Sequence, residues 1–224
     1  MSPERSPSPL AAVGALPLAA AVLAGGDSAR MGRPKALLTM PDGETFIARI
    51  LRVLEACGLQ RTVVVSGRHH TDIQGALEST GLAGGVRLVR NPHPERGQLS
   101  SLHLAMSAVV DPTVDGMLVT LIDVPLISES VVTAVIDTWA SSRPPVVRPA
   151  VGERHGHPVI FDRRVFQELR DAPGSVGAKA VVRAHARDVR DVQVADAGCT
   201  WDIDTPDDYD RLQRDGGDRG NFSR

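Results

Sequence analysis

Short apolar runs along this chain alternate with stretches in which apolar residues return every three or four positions. Leu18–Ala24 is apolar throughout, as a strand buried on both faces should be, and Gly25-Gly26 ends it. Phe46, Ile47, Ile50, Leu51, Leu54 and Cys57 recur at helical spacing, which predicts an amphipathic helix over 45–58 closed by Gly58. The β-branched run 62–65, bounded by Ser66-Gly67, predicts a second strand, and a polar helix follows over 71–79. A third strand is expected at 86–89, ending at Asn91-Pro92, and Leu99, Leu102, Met106, Val109 and Val110 mark the next helix. The apolar run 117–122 ends in Asp123-Val124-Pro125, and Ser128 can cap a helix carrying Val131, Val132, Val135, Ile136 and Trp139.

This β-α-β-α alternation predicts an α/β fold, a single three-layer domain with a mainly parallel sheet covered by helices on both faces. Such sheets place their sites at the carboxyl ends of the strands, where loops 25–35, 66–70, 91–101 and 123–126 should converge. Beyond residue 144 the pattern is less regular. Strands are expected at 145–149 and 158–161, flanking Gly152-Glu153-Arg154-His155-Gly156-His157, with helices at 162–169 and 177–185. Val189, Val192 and Val194 suggest a last strand, and a helix follows Pro206. The domain is expected over 18–214, between a Ser/Pro/Ala-rich disordered tail at 1–17 and a flexible tail at 215–224. The apolar stretch 10–24 invites a signal-peptide reading, but Pro9 and Pro17 interrupt it and cleavage near Ala24 would cut the glycine loop. A cytoplasmic protein is expected.

Charge and composition remove whole classes. Twenty-five basic residues against 27 acidic ones, with 3% aromatic residues, leave neither the field nor the stacking surface of a nucleic-acid binder. No apolar stretch suits a membrane span. Two cysteines, Cys57 and Cys199, cannot build a disulfide framework, and both read as packing residues. His69-His70 and the His155/His157 pair lack a third ligand at zinc-like spacing.

The chemistry concentrates after the first strand. Gly25, Gly26 and Gly32 let backbone N–H groups approach an anion, and Arg30, Arg33 and Lys35 add charges suited to phosphate oxygens. Neither the Walker pattern nor the dinucleotide fingerprint fits this spacing. The run Leu23-Ala24-Gly25-Gly26-Asp27-Ser28-Ala29-Arg30-Met31-Gly32-Arg33-Pro34-Lys35 resembles the signature of molybdenum cofactor nucleotidyltransferases, within the pyrophosphorylase-like, Rossmann-like nucleotidyltransferase fold. Further blocks are similar to that family's: Arg90-Asn91-Pro92, Gly97 to Leu102, Leu121 to Leu126, Gly156-His157-Pro158-Val159-Ile160-Phe161, and Asp202-Ile203-Asp204-Thr205-Pro206.

The resemblance implies transfer of CMP from CTP to molybdopterin with release of pyrophosphate. The three-residue gap from Gly32 to Lys35 and the Gly-His-Pro block point to the cytidylyl branch. It implies Arg30, Lys35 and Asp123 as catalytic residues. Leu23, Ala24, Gly25, Gly26, Ser28, Arg30, Lys35, Ser66, Gly67, Asn91, Gly97, Ser100 and Ser101 would contact the nucleotide. His157 and Lys179 would meet the acceptor; Lys179 stands where the family often has arginine, and an ammonium cannot fork onto two oxygens. Asp123, Asp202 and Asp204 are the candidate ligands of Mg²⁺, which needs one or two carboxylates.

Each assignment has an ordinary alternative. Asp204 before Thr-Pro can cap a helix, Asn91 before Pro92 can form a turn, and Ser100 and Ser101 can be N-caps. The acceptor can be another phosphorylated small molecule, and the fold also admits an NAD(P)H-dependent oxidoreductase or a binding protein serving a molybdenum hydroxylase.

Overall fold

The computed structural model describes residues 16–26 and 31–215. Eight strands form one sheet: β1 (Leu18–Ala24), β2 (Thr62–Ser66), β3 (Val86–Arg90), β4 (Gly116–Leu121), β5 (Val146–Val151), β6 (Arg154–His155), β7 (Val159–Asp162) and β8 (Arg190–Gln193). Their order is β3-β2-β1-β4-β7-β5, with β6 and β8 also paired to β5. The helices are α1 (Phe46–Ala56), α2 (His70–Ser79), α3 (Gln98–Val109), α4 (Glu129–Ser142), α5 (Phe166–Asp171), α6 (Lys179–Ala184) and α7 (Pro206–Arg214).

β1 lies inside the sheet, its Ala21 opposite Val63 on one side and Val119 on the other. Side chains on a strand alternate between faces, so an all-apolar strand needs cover on both. Leu18, Ala20 and Val22 pack under α1, α4 and α7, whereas Ala19, Ala21 and Leu23 pack under α3, α5 and α6. This is the expected three-layer domain. Ser128 caps α4 by accepting from the Val131 N–H, and Thr45 caps α1 through the Ala48 N–H.

The sheet is mainly parallel, as expected, with two reversed strands, and two other expectations need correction. Strands β6 and β7 run against the rest: β7 is antiparallel to both β4 and β5. Strand direction follows from pairing, which apolar patterning does not encode. The helix expected at 162–169 is a 3-10 turn followed by α5, and the one expected at 177–185 shortens to α6. Ser100 and Ser101 are not N-caps, because α3 begins earlier at Gln98 with Gly97 as its cap, at φ 87°, a left-handed value that favours glycine.

The segment between β6 and β7 carries a bulge. Ala150 faces His155 and Val147 faces Ile160, so one side advances five residues while the other advances three. The surplus lies in 156–158. It is pinned where the His157 N–H donates to the Cys199 carbonyl at 2.8 Å, against which Gly156 leaves no room for a Cβ. At the carboxyl ends of β1 and β2, a Cβ on Gly67 would lie 2.5 Å from the Gly25 carbonyl oxygen. Backbone there cannot step aside as a flexible side chain can. Gly67→Ala should therefore cost about 1–3 kcal/mol of stability, the usual range for overpacking. Denaturant unfolding checks this, and an unchanged midpoint would show that the two loops are not in close contact.

Candidate active site

A cleft of about 400 Å³ opens at the carboxyl ends of β1 and β4. Of the residues expected to contact nucleotide or metal, Leu23, Gly25, Gly26, Lys35, Gly97, Ser101, Asp123 and Asp204 line it. Lys35 starts a 3-10 turn after Pro34, and its side chain, only 11% exposed, reaches between two carboxylates. Its Nζ lies 2.5 Å from Asp204 Oδ1 and 3.5 Å from Asp123 Oδ2. The Ile203 N–H donates to the Asp123 carbonyl at 2.8 Å, which draws the segment 202–204 against the end of β4. Thr205, not Asp204, caps α7: its Oγ1 accepts from the Asp208 N–H while Asp208 accepts from the Thr205 N–H. That leaves the Asp204 carboxylate turned to Lys35.

Two features of the carboxylates matter for chemistry. Asp123 Oδ1 is buried and has no hydrogen-bond partner among the described residues. Asp202 sits at the rim without lining the cleft; the protein packed around its carboxyl group and the charges of Asp123 and Asp204 push its pKa up to about 6. Among the described residues no group of three His, Cys, Asp or Glu side chains is arranged to hold a metal ion.

The remaining expected contacts lie behind this wall or outside the described residues. Ser28 and Arg30 lie outside the described residues. Ala24 packs in the core, and Ser66 is buried with its hydroxyl bonded to the Val89 carbonyl and to His70. Gly67 serves close packing rather than lining the cleft. Asn91 forms the turn: its Oδ1 accepts the His93 N–H, and its Nδ2 donates to Ser100 Oγ at 2.9 Å and Ser101 Oγ at 3.0 Å. These bonds take both amide hydrogens and one lone pair of Oδ1, so this amide shapes the loop. Ser100 also donates to the Gly97 carbonyl.

A second cavity of about 580 Å³ adjoins the first, sharing Leu23, Gln98 and Leu121. His157 and Lys179, the expected acceptor contacts, both line it. His157 Nδ1 lies 3.4 Å from the Val119 carbonyl, so Nδ1 carries the proton, and burial lowers the imidazole pKa and keeps it neutral. The floor is apolar, with Leu102, Val119 and Phe161, and the rim carries Arg148, Lys179 and Arg183. No Asp or Glu lines it among the described residues. Gln98, Arg148 and Arg183 were not expected from the sequence. Gln98 and Arg183 are exposed and break no pattern, but Arg148 interrupts the apolar run Val146–Val151, a signal that was readable.

Comparisons agree with this geometry. Residues 20–189 match the MobA-like NTP transferase domain. A probable molybdenum cofactor guanylyltransferase of Rhodopirellula baltica is 30% identical over 133 residues, covering 58% of this chain and 60% of that relative's length. The molybdenum cofactor cytidylyltransferase of Escherichia coli is 23% identical over 188 residues, 84% of this chain and 91% of that one. Among solved structures, Rv0371c of Mycobacterium tuberculosis superposes with a TM-score of 0.76 at 29% identity, over 90% of this chain and 100% of that one. Its manganese complex gives 0.71 at 27% identity, over 88% and 98%. With its strand-end cleft and a family match over most of its length, this chain belongs to the MobA-like NTP transferases.

Proposed function

We propose that the chain transfers a nucleotidyl group, CMP from CTP, to the phosphate of molybdopterin and releases pyrophosphate. The observation that carries this reading is the pair of adjoining cavities with opposite chemistry. The first joins a glycine-edged anion site to carboxylates and Lys35; the second is apolar with a cationic, acid-free rim. In the reaction an acceptor phosphate oxygen bonds to the α-phosphorus as the bond to the β-phosphate bridging oxygen breaks, and that oxygen leaves on pyrophosphate. No covalent intermediate is needed, so positioning and charge stabilisation carry the rate.

Lys35 holds the triphosphate and stabilises the leaving pyrophosphate, with Arg30 assigned the same task by sequence resemblance. The bare N-terminus of α3, capped by Gly97 without a side chain, faces the nucleotide through Gln98 and Ser101. His157 and Lys179 contact the acceptor. The residues fit a divalent cation, because Asp123 Oδ1 is a buried hard donor with no hydrogen-bond partner among the described residues. Asp123, with Asp204 or Asp202, would hold Mg²⁺, which when bound neutralises charge on the phosphate oxygens. The manganese complex of Rv0371c supports a divalent ion here. Relatives carry both cytidylyl and guanylyl names, so GTP is the competing donor. A molybdenum hydroxylase, the end user of such a cofactor, is a partner under this reading, and the cytoplasm is its compartment. Among the described residues no helix is long and apolar enough to cross a membrane.

Pyrophosphate release should be measured with CTP, GTP and ATP separately, with Mg²⁺, with and without molybdopterin. Release from CTP that depends on molybdopterin is expected. Release from GTP alone would reassign the base, and none from any triphosphate would remove the reading. Lys35→Ala should lower kcat by about 10²-fold or more, comparable to losing one oxyanion donor, while the circular dichroism spectrum stays unchanged. Wild-type turnover in that variant would take Lys35 out of the chemistry.

The raised Asp202 pKa has a stability consequence. Unfolded, this carboxyl titrates near its ordinary 3.8; folded, it titrates near 6. The folded state therefore binds the extra proton, and a destabilising contribution grows from about pH 4 to pH 6 and stays constant above. In metal-free buffer Asp202→Asn should raise Tm at pH 8 and leave it unchanged at pH 3.5. An equal shift at both values would show that charge repulsion is not the cause.

A further inference from the structure

Arg148 is an unusual occupant of its position. It sits in the middle of β5, a strand paired on both edges, and shares a face with Val146 in the core under α3, α5 and α6. A cation at such a place is costly unless it is paired. The partner comes from the neighbouring strand. Asp191 of β8 stands directly opposite in register, and its Oδ1 accepts from Arg148 Nε at 2.6 Å while Oδ2 accepts from Nη2 at 3.5 Å. His155 on β6 lies 3.2 Å from the same Oδ2, so three strands contribute to one polar cluster. The Arg148 guanidinium, followed by its hydrogen bond to His155, holds the Asp191 carboxyl below its ordinary range, so this carboxylate remains charged.

The pairing fixes the guanidinium by one edge and leaves the other. Nη1 makes no hydrogen bond among the described residues, and Arg148 lines the second cavity. Asp191 does not line it, and among the described residues neither Lys179 nor Arg183 at the rim has an ion pair. The open edge of a guanidinium, preset by a carboxylate behind it, is suited to a planar pair of oxygens. Position adds a length. Gln98 and Leu121 form the wall shared with the nucleotide cleft, and β5 lies two strands beyond β4 in the order β4-β7-β5. At ~4.8 Å per strand this is roughly 10 Å.

We propose that Arg148, held by Asp191, is a specificity-determining residue of the acceptor site that binds an anionic or strongly electron-rich oxygen group at the end of the acceptor remote from the attacking phosphate. The acceptor class is then an elongated organic phosphate with an apolar middle and a second anionic or strongly electron-rich oxygen group at its far end. Selection works by length as well as charge: a short phosphate ester fills the near end and leaves Arg148 unsatisfied. This rests on the acceptor assignment under the proposed function.

Two experiments on the full chain separate the residue from the reaction. With CTP and molybdopterin, Arg148→Ala should raise the acceptor KM by about tenfold or more, as for loss of a charge-assisted hydrogen bond, with the CTP KM moving less than twofold. Arg148→Lys should not restore the acceptor KM, because an ammonium lacks the second edge. An unchanged acceptor KM in the alanine variant, or full rescue by lysine, overturns the proposal. If the wild type does not turn molybdopterin over, the proposed function fails, and the second experiment still decides the role of Arg148. In it, inorganic phosphate is titrated into the protein while arginine Nε–H signals are followed by NMR, the Arg148 signal being assigned by its loss in Arg148→Ala. A saturable shift of that signal supports the anion site. A signal that stays still at tens of millimolar phosphate overturns it.

Discussion

Among the described residues, one cation between two anions ties the site together. Lys35 Nζ, 2.5 Å from Asp204 and 3.5 Å from Asp123, joins the loop after β1, the end of β4 and the segment before α7. Without it, neighbouring carboxylates in a partly buried cleft would repel one another. Everything around the lysine serves to keep that geometry. Tyr209 on α7 lies within hydrogen-bond reach of Thr39, its ring lies under Arg33, and Gln213 donates to the Thr39 carbonyl. The helix that follows Asp204 is thereby clamped to the loop that presents Lys35. A triphosphate entering this cleft would meet an ammonium already positioned, and a cation entering would meet an Asp123 oxygen already desolvated.

The sheet divides the labour. Parallel strands β1, β2, β3 and β4 bring loops to one edge and make the first cleft, as their direction requires. The reversed strand β7 then changes what is possible. It brings the bulge at 156–158 beside β4, so His157 faces the second cavity from a segment that a purely parallel sheet would have sent elsewhere. The second cavity is consequently built on the antiparallel insertion and on α6, while its apolar floor continues from the core under α3.

The parallel half was legible because each strand is a closed apolar run and each helix has its spacing and its cap. Lys35 and Asp123 were readable as well, each standing where a glycine loop or an apolar run gives way to charge, whereas Asp204 was marked only by its resemblance to the family's block; the fold brings the three side chains together. The reversed direction of β7 was not readable, since strand pairing is decided by tertiary contacts that leave no period in the sequence. Asn91, Ser100 and Ser101 show a second limit. Their residue types suit either a ligand or a turn; the hydrogen bonds among them show the turn, which no period in the sequence encodes, and Ser101 lines the cleft as well. Asp202 shows a third: its neighbours 123 and 204 in charge are set by the Ile203 hydrogen bond to Asp123, a contact that crosses eighty residues of chain.

The central claim is that the Asp123 carboxylate, beside Lys35, is the point at which metal and nucleotide meet. Crystals grown with CTP and Mn²⁺ test it through the anomalous signal of manganese. The account predicts a peak within bonding distance of Asp123 Oδ1 with triphosphate oxygens on Lys35 Nζ. A manganese peak elsewhere, with the triphosphate remote from Lys35, would contradict it.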